Sequence, residues 1–540
     1  GGDGGRVEVS GKGTLDFAGS VDASSPAGNA GSLLLDPATM TIGAAEASLI
    51  SRVLRTGTST TVTADVDINV GAAIDGRGRI AGGGLTLRAG RDINVDEFIV
   101  TNSGAVVLNA ATGAVRVAAN RGVFTGSAPI TVSAGADLVS GAFVTTGALG
   151  LASTAGSVVV ATPLDAGLGA VTVNAAQDVR IDQPVVNLRN GSAFTATAGR
   201  DVIVNAQIDG RGGVDGGALS LTAGGSVQFN ESAVTQLGEL RVRAIAGSIV
   251  TAANRGLFTL GGSTIDLSAG GDFTTGVLGT TGSLNLTSTG GAVTIGQGID
   301  ATVGATTIRA ATDANIDSPV LNLRSGAPLS VTAGRDIAVR APIDGRNGTA
   351  SGGTATLTAG RSVTLADSIV TNEGAISVTA TGGTVTQPGG VQLRSGAAPI
   401  AVTAGADMTT ASYVTTGNLT LRSTGGALAV AESIYDSVGN TTLTAATDIT
   451  VAPTVRVENV RTGAALTMSA GRDIVVDGQV GQDRDAITLT GPITLAAGRN
   501  VTVNNDVVTR DAPLTITATG GTVTVASQIA GHPAGVRPQV

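Results

Sequence analysis

One short pattern runs through this 540-residue chain: apolar-x-apolar, Ala-Gly, a polar pair, apolar-x-apolar. Leu85-Thr86-Leu87-Arg88-Ala89-Gly90-Arg91-Asp92-Ile93-Asn94-Val95 is one instance, and Leu329-Ser330-Val331-Thr332-Ala333-Gly334-Arg335-Asp336-Ile337-Ala338-Val339 is another. Alternation on both sides of the glycine means strand, tight turn, strand. Glycine is expected to supply a positive φ at the corner, and the aspartate after it to bond local backbone amides.

The turn recurs at Asp137, Ser157, Asp178, Asp201, Ser226, Ser248 and Asp272, about 22 residues per step, the length of a solenoid coil of three short strands and three turns. A longer period lies above it. Asp137, Asp272 and Asp407 stand 135 residues apart, as do Asp178, Asp313 and Asp448. Six coils therefore form a duplicated block. The expected organisation is an N-terminal segment 1–60, a partial block 61–136, blocks 137–271 and 272–406, a truncated block 407–530 and a tail 531–540. One coil cannot bury its own apolar side chains, whereas stacked coils share a continuous core and backbone ladder. The expected fold is all-β, a right-handed parallel β-helix (β-solenoid), the hand following the crossover preference. With strands about 4.8 Å apart, at most about 24 coils would make a rod roughly 110 Å long. Thr145, Thr280 and Thr415 fall at matching places and are candidates for stacked side-chain ladders.

Composition agrees. The chain has 81 Gly, no Cys, no Trp, two Tyr and eight Phe, yet 42% of its residues are apolar. That is too hydrophobic for a disordered polar chain and too poor in aromatics for a large globular core; a core of small aliphatic side chains fits both. A formal charge of −9 argues against nucleic-acid binding and polybasic attachment to lipid. Without cysteine there are no disulfides, thiol nucleophiles or Cys-based zinc sites. The sequence opens Gly1-Gly2-Asp3 without a signal-peptide pattern, so a signal peptide is expected to have been cleaved or the sequence to be an excised fragment; no apolar run is long enough for a transmembrane helix.

Before residue 60 the text changes. Leu49, Ile50, Val53 and Leu54 fall at helical spacing with no glycine after Gly43, predicting one short amphipathic helix near 44–55 packed on the solenoid. A longer loop then recurs once per block: Ile74-Asp75-Gly76-Arg77-Gly78, Ile208-Asp209-Gly210-Arg211-Gly212 and Ile343-Asp344-Gly345-Arg346-Asn347-Gly348, diverging to Gly481-Gln482-Asp483-Arg484-Asp485. These loops should bulge from one face, six coils apart. Loops on a rigid scaffold commonly carry function, so Asp75, Arg77, Asp209, Arg211, Asp215, Asp344 and Arg346 are the candidate ligand contacts.

Two N-terminal stretches carry a family resemblance: Gly5-Arg6-Val7-Glu8-Val9-Ser10-Gly11-Lys12-Gly13 with Phe17-Ala18-Gly19, and Gly31-Ser32-Leu33-Leu34-Leu35-Asp36-Pro37-Ala38-Thr39-Met40-Thr41-Ile42. With the helix and the Ala-Gly-Arg-Asp repeats, they resemble large filamentous-haemagglutinin-like exoproteins of Gram-negative bacteria, in the region just after the secretion domain. The resemblance implies two-partner secretion, with an outer-membrane β-barrel transporter as export partner. It also implies a secreted or cell-surface location and adhesion to a host-cell receptor or glycan, or else a stalk carrying a distal toxin or adhesive tip. The Asn-Pro-type motifs of the family's secretion domain are not found, so export signals are assigned to no residue.

Some parallel β-helices cleave polysaccharides, so the acidic residues need weighing. Asp182 and Asp317 are equivalent, but the next equivalent is Ala452. Arg91-Asp92, Arg200-Asp201, Arg335-Asp336 and Arg472-Asp473 recur in every block. A catalytic constellation is normally single and sits in one cleft, so repeated pairs read as turn structure and surface charge, and no enzyme is expected. Gly213-Val214-Asp215-Gly216-Gly217 only loosely echoes a calcium-binding repeat, and His532, the single histidine, stands near a Pro-containing tail. No metal or cofactor is expected.

Overall fold

A computed structural model describes the chain apart from residues 1, 14, 16, 18, 26, 79–81, 166, 214–215, 301, 347, 349–351, 435–438, 459–462, 482–490, 511 and 533–540. The fold is a parallel β-solenoid of about 23 residues per turn. It divides into two compact units, Gly1–Gly270 and Gly271–Val540. No helix among the described residues is long and apolar enough to cross a membrane.

In the first unit most coils lay one strand on each of three faces, and isolated bridges at Leu164 and Val185 continue the third face where its strands lapse. Leu85–Ala89, Ile93–Val95 and Ile99–Val100 form one such coil. Residues of one coil pair in register with those of the next, so one inward position becomes a column: Leu85, Val106, Ile130, Leu149, Val171, Phe194. All six are essentially buried. The last inward position of the same strand is Ala89, Ala110 and Ala134, where the chain turns and only a small side chain fits. Fully burying one Val or Leu stabilises by about 1.5–3 kcal/mol, and stacking repeats that gain at every coil. The second unit repeats the arrangement from Leu284–Ser288 to Leu514–Ala518, and Val331 and Val339 lie in its core.

The corner glycines have a different cause from the expected one. Gly90, Gly199 and Gly334 are not in the left-handed region. A Cβ on Gly90 would lie 2.0 Å from the Asp65 carbonyl oxygen of the coil before, and one on Gly334 would lie 2.2 Å from the Ala311 oxygen. Glycine is needed there because coils stack backbone on backbone. Nor does the turn aspartate serve its own turn; it reaches one coil onward. Asp137 Oδ1 accepts the Ser157 amide at 2.9 Å, and Asp201 Oδ1 the Ser226 amide at 2.7 Å. The repeated arginines complete this ladder: Arg200 Nε donates to Asp178 Oδ1 at 2.7 Å, Arg335 Nε to Asp313 Oδ1 at 2.7 Å and Arg472 Nε to Asp448 Oδ1 at 2.8 Å.

Asparagines also stack. Asn230 Nδ2 donates to Asn205 Oδ1, and Asn205 Nδ2 to Asp182 Oδ1, each at 2.7 Å. The threonines do not follow that pattern: Thr145 and Thr415 donate at 2.6 Å to the Ala128 and Ala398 carbonyls and accept the Gly147 and Gly417 amides. They tie turns to neighbouring backbone.

The predicted helix is Ala44–Arg55, with Leu49, Ile50, Val53 and Leu54 buried. The Gly43 amide donates to Glu46 Oε2 at 3.0 Å and closes its first turn.

Candidate functional site

The Asp-Gly-Arg loops are closed staples. Asp75 Oδ1 accepts the Arg77 amide at 3.1 Å and Arg77 Nε at 2.9 Å, and Oδ2 accepts Nη2 at 3.0 Å. Asp209 binds Arg211, and Asp344 binds Arg346, through the same atoms, with Nε at 2.9 and 3.0 Å. Asp215 and Asn347 lie outside the described residues, as do Gln482, Asp483, Arg484 and Asp485 of the diverged fourth loop.

A second motif holds each loop from below. Leu54-Arg55-Thr56-Gly57 ends the helix, and Leu188-Arg189-Asn190-Gly191 and Leu323-Arg324-Ser325-Gly326 take its place in short 3₁₀ turns, Asn187–Arg189 and Asn322–Ser325. In all three the glycine has a positive φ, 85°, 84° and 78°, as a helix C-cap requires. The leucine packs under the loop glycine, so a Cβ on Gly76, Gly210 or Gly345 would lie 2.9, 3.2 or 3.1 Å from the Leu54, Leu188 or Leu323 Cβ. The arginine reaches the loop aspartate. Arg189 and Arg324 donate from Nη2 to Asp209 and Asp344, the latter at 2.6 Å, whereas Arg55 stands 3.7 Å from Asp75 Oδ2.

The aspartates are therefore mainly builders of the loop. Asp209 and Asp344 are each 6% exposed. Burial works to raise their carboxyl pKa values, but bonds from the two arginines outweigh it and both titrate below the usual range. The outer arginines face solvent, with Arg77 the most exposed. Asp75 differs, because its side chain keeps 36% exposure against 9% for the other two.

What lies beside each loop depends on the next two coils along the third face. At the first loop, Ala73, Ile74, Asp75, Arg77, Phe98, Val100 and Phe124 line a groove of about 490 Å³. The Phe98 and Phe124 ring centroids are 5.7 Å apart at 56°. Arg121 lies 5.1 Å from the Phe98 ring centroid and donates from Nε to Glu97 Oε2 at 3.0 Å. At the second loop Ser232 precedes the strand Ala233–Thr235 as Phe98 precedes Ile99–Val100, and Phe258 pairs with Val234. At the third, Ser368 and Arg394 hold these places. There Arg346, Val370, Thr371, Asn372, Arg394 and Gly396 line a notch of about 300 Å³.

Sequence reasoning picked out Asp75 and Arg77 but missed Phe98, Arg121 and Phe124, which complete the groove. The signal was present: Phe98 and Phe124 are two of only eight phenylalanines and stand about one coil apart. The candidate carboxylates of a polysaccharide-cleaving enzyme are engaged otherwise. Asp182 accepts Arg180 Nη2 at 3.0 Å as well as Asn205, and Asp317 accepts Arg340 Nη1 at 2.7 Å. Among the described residues no cluster of three His, Asp or Glu suits a metal ion. No protein-family model matches the chain, and no curated protein matches it.

Proposed function

We propose that this chain is a segment of a secreted or cell-surface bacterial adhesin, attaching to host cells or glycans through its Asp-Gly-Arg loops. The observation that carries this reading is the same arginine-clamped loop at three places, with a different surface beside each. The clamps hold the loops in one geometry, and the neighbouring strands vary what they present: two phenylalanines, one phenylalanine, or one arginine. Rigid scaffolds with variable loop neighbourhoods suit recognition more than catalysis. In this reading the chain carries no catalytic activity and crosses the outer membrane through a β-barrel transporter.

A second reading, a stalk displaying a distal toxin or adhesive tip, draws on the ladders. Many of the aspartates and arginines are used for bonding coil to coil, as a support element needs.

The deciding experiment is binding of beads coated with residues 1–540 to cultured epithelial cells. The adhesin reading expects saturable attachment, reduced when residues 209–215 and 344–348 are shortened. No attachment by a protein whose circular dichroism shows folded β-structure would favour the stalk.

A further inference from the structure

The groove beside the first loop differs from its two counterparts in two respects. Its floor holds two half-buried phenylalanines in contact, although Phe143, Phe194, Phe229 and Phe273 are fully buried. Its aspartate is the one whose carboxylate stays open to solvent. Three arginines, Arg55, Arg77 and Arg121, stand around the groove with the carboxylates Asp75 and Glu97, a set that the second loop repeats as Arg189, Arg211 and Arg255 with Asp209 and Glu231.

Each feature selects among ligands. Aromatic rings left half open at a rim forgo burial that usually draws them into the core, and they offer a flat apolar face. A pyranose ring has a matching face of C–H groups. Its hydroxyls both donate and accept, so they can donate to the open Asp75 oxygens and accept from Arg77, whose planar guanidinium suits paired oxygen acceptors. A lipid tail or apolar peptide side chain would use the rings and leave this acid–guanidinium rim without a role. Arg77, the most exposed of the three outer arginines, further favours a sugar that carries a carboxylate. A volume of about 490 Å³ lies within the ~300–1,000 Å³ of small-ligand sites, enough for one or two rings.

We propose that the groove formed by Phe98, Phe124, Asp75 and Arg77 is a binding subsite for an acidic saccharide, stacking its pyranose ring on the phenylalanines and pairing its carboxylate with Arg77. The proposal rests on the adhesin reading and gives it a ligand class. The second and third loops, with Ser232 and Ser368 in place of Phe98, do not form this subsite. The Phe124 position is Arg394 in the third copy, so duplicated loops present different surfaces.

The test uses residues 1–540 and sialyllactose, with lactose as the neutral control, followed by saturation-transfer NMR and isothermal titration. Sialyllactose should bind with its ring protons saturated and at least tenfold more tightly than lactose. Phe124→Ala and Phe98→Ala should each weaken binding tenfold or more. Arg77→Gln should weaken sialyllactose binding and remove the preference over lactose. Phe124→Leu, which keeps apolar volume without a ring, separates stacking from local packing and should also lose binding with melting unchanged. No sialyllactose binding by the wild type, or equal binding by Phe124→Ala, would overturn the subsite. Beads carrying Phe98→Ala/Phe124→Ala that attach to cells as well as wild type, together with unchanged sialyllactose titration, would remove the subsite and leave the adhesin reading standing. Sugar binding lost in these variants without any cell attachment by the wild type would remove the adhesin reading and leave the subsite.

Discussion

Tyr413 and Gln387 form a hydrogen-bonded pair inside the second unit: Tyr413 Oη donates to Gln387 Oε1 at 2.6 Å, and the same oxygen accepts the Ala411 amide at 2.7 Å. Tyr413 is fully buried, and burial pushes its hydroxyl well above the usual tyrosine range. The place corresponds to Phe143 in the first unit, 270 residues earlier. A hydroxyl added to a buried ring needs an acceptor, and Gln387 supplies it where Val117 holds the matching place. Gln387→Leu should therefore cost about 1–3 kcal/mol for each buried donor it leaves unpaired, the hydroxyl and the Ala411 amide. Adding Tyr413→Phe should recover the hydroxyl's share of that loss. Urea denaturation of the four proteins of this cycle measures the coupling; simple additivity would show that the pair does not act together.

Acid should loosen the ladder. Arg499 holds the Asp473 carboxyl down to about 2, against 3.8 for a free side chain. Bonds from Arg200, Arg335 and Arg472 lower Asp178, Asp313 and Asp448 in the same direction. A carboxyl with a lower pKa folded than unfolded binds fewer protons in the folded state. Its contribution is full above about 3.8 and is lost as pH falls through the folded value. The melting temperature should be flat from pH 7 to 5 and fall between pH 4 and 2. Replacing Asp178, Asp313 and Asp448 together by Asn should lower melting at pH 7 and make the acid fall shallower. An equally steep fall in that variant would place the acid sensitivity elsewhere.

Stacking geometry predicts opposite outcomes at two glycines. Gly90→Ala would place a Cβ 2.0 Å from the Asp65 carbonyl oxygen, so two coils must part, at a cost of about 2 kcal/mol or more. Gly150 has open space around its outward Cβ position, and Gly150→Ala should stabilise by roughly 0.5–1 kcal/mol, since alanine is less costly to order than glycine in a strand. Equal effects of the two substitutions on the urea midpoint would refute the backbone-contact explanation of the corner.

Core positions are the severest case. Val331 and Val339 are buried, so Val331→Asp or Val339→Asp places an unpaired charge among aliphatic side chains. A loss of several kcal/mol, read as a lower melting temperature and faster amide exchange in the adjoining coils, is expected. Thr332→Asp, at an exposed position on the same strand, should stay within about 0.5 kcal/mol of wild type.

Much of the fold was legible because its signals are local and repeated. Alternation marks the strands, the Ala-Gly corner marks the turns, and the apolar spacing of residues 44–55 marks the helix. The site was legible only in part. Asp75, Arg77 and their counterparts stand out as a recurring loop, but a recurring word does not say which side chain faces solvent. The clamp joins Arg189 to Asp209 and Arg324 to Asp344 across 20 residues, a separation that becomes contact only after one coil has been laid on the next.

The sequence by itself determined that the chain stacks parallel coils around a small aliphatic core, because a period-two pattern with a glycine corner has few other ways to bury its apolar face. Only the tertiary structure decided why the corner is glycine, that the turn aspartates bond to the following coil, and that Phe98, Phe124, Asp75 and Arg77 share one groove. Each of these depends on which residues of separate coils come to lie side by side. That is set by register and by the exact closeness of neighbouring backbones, and a pattern read along one coil does not contain it.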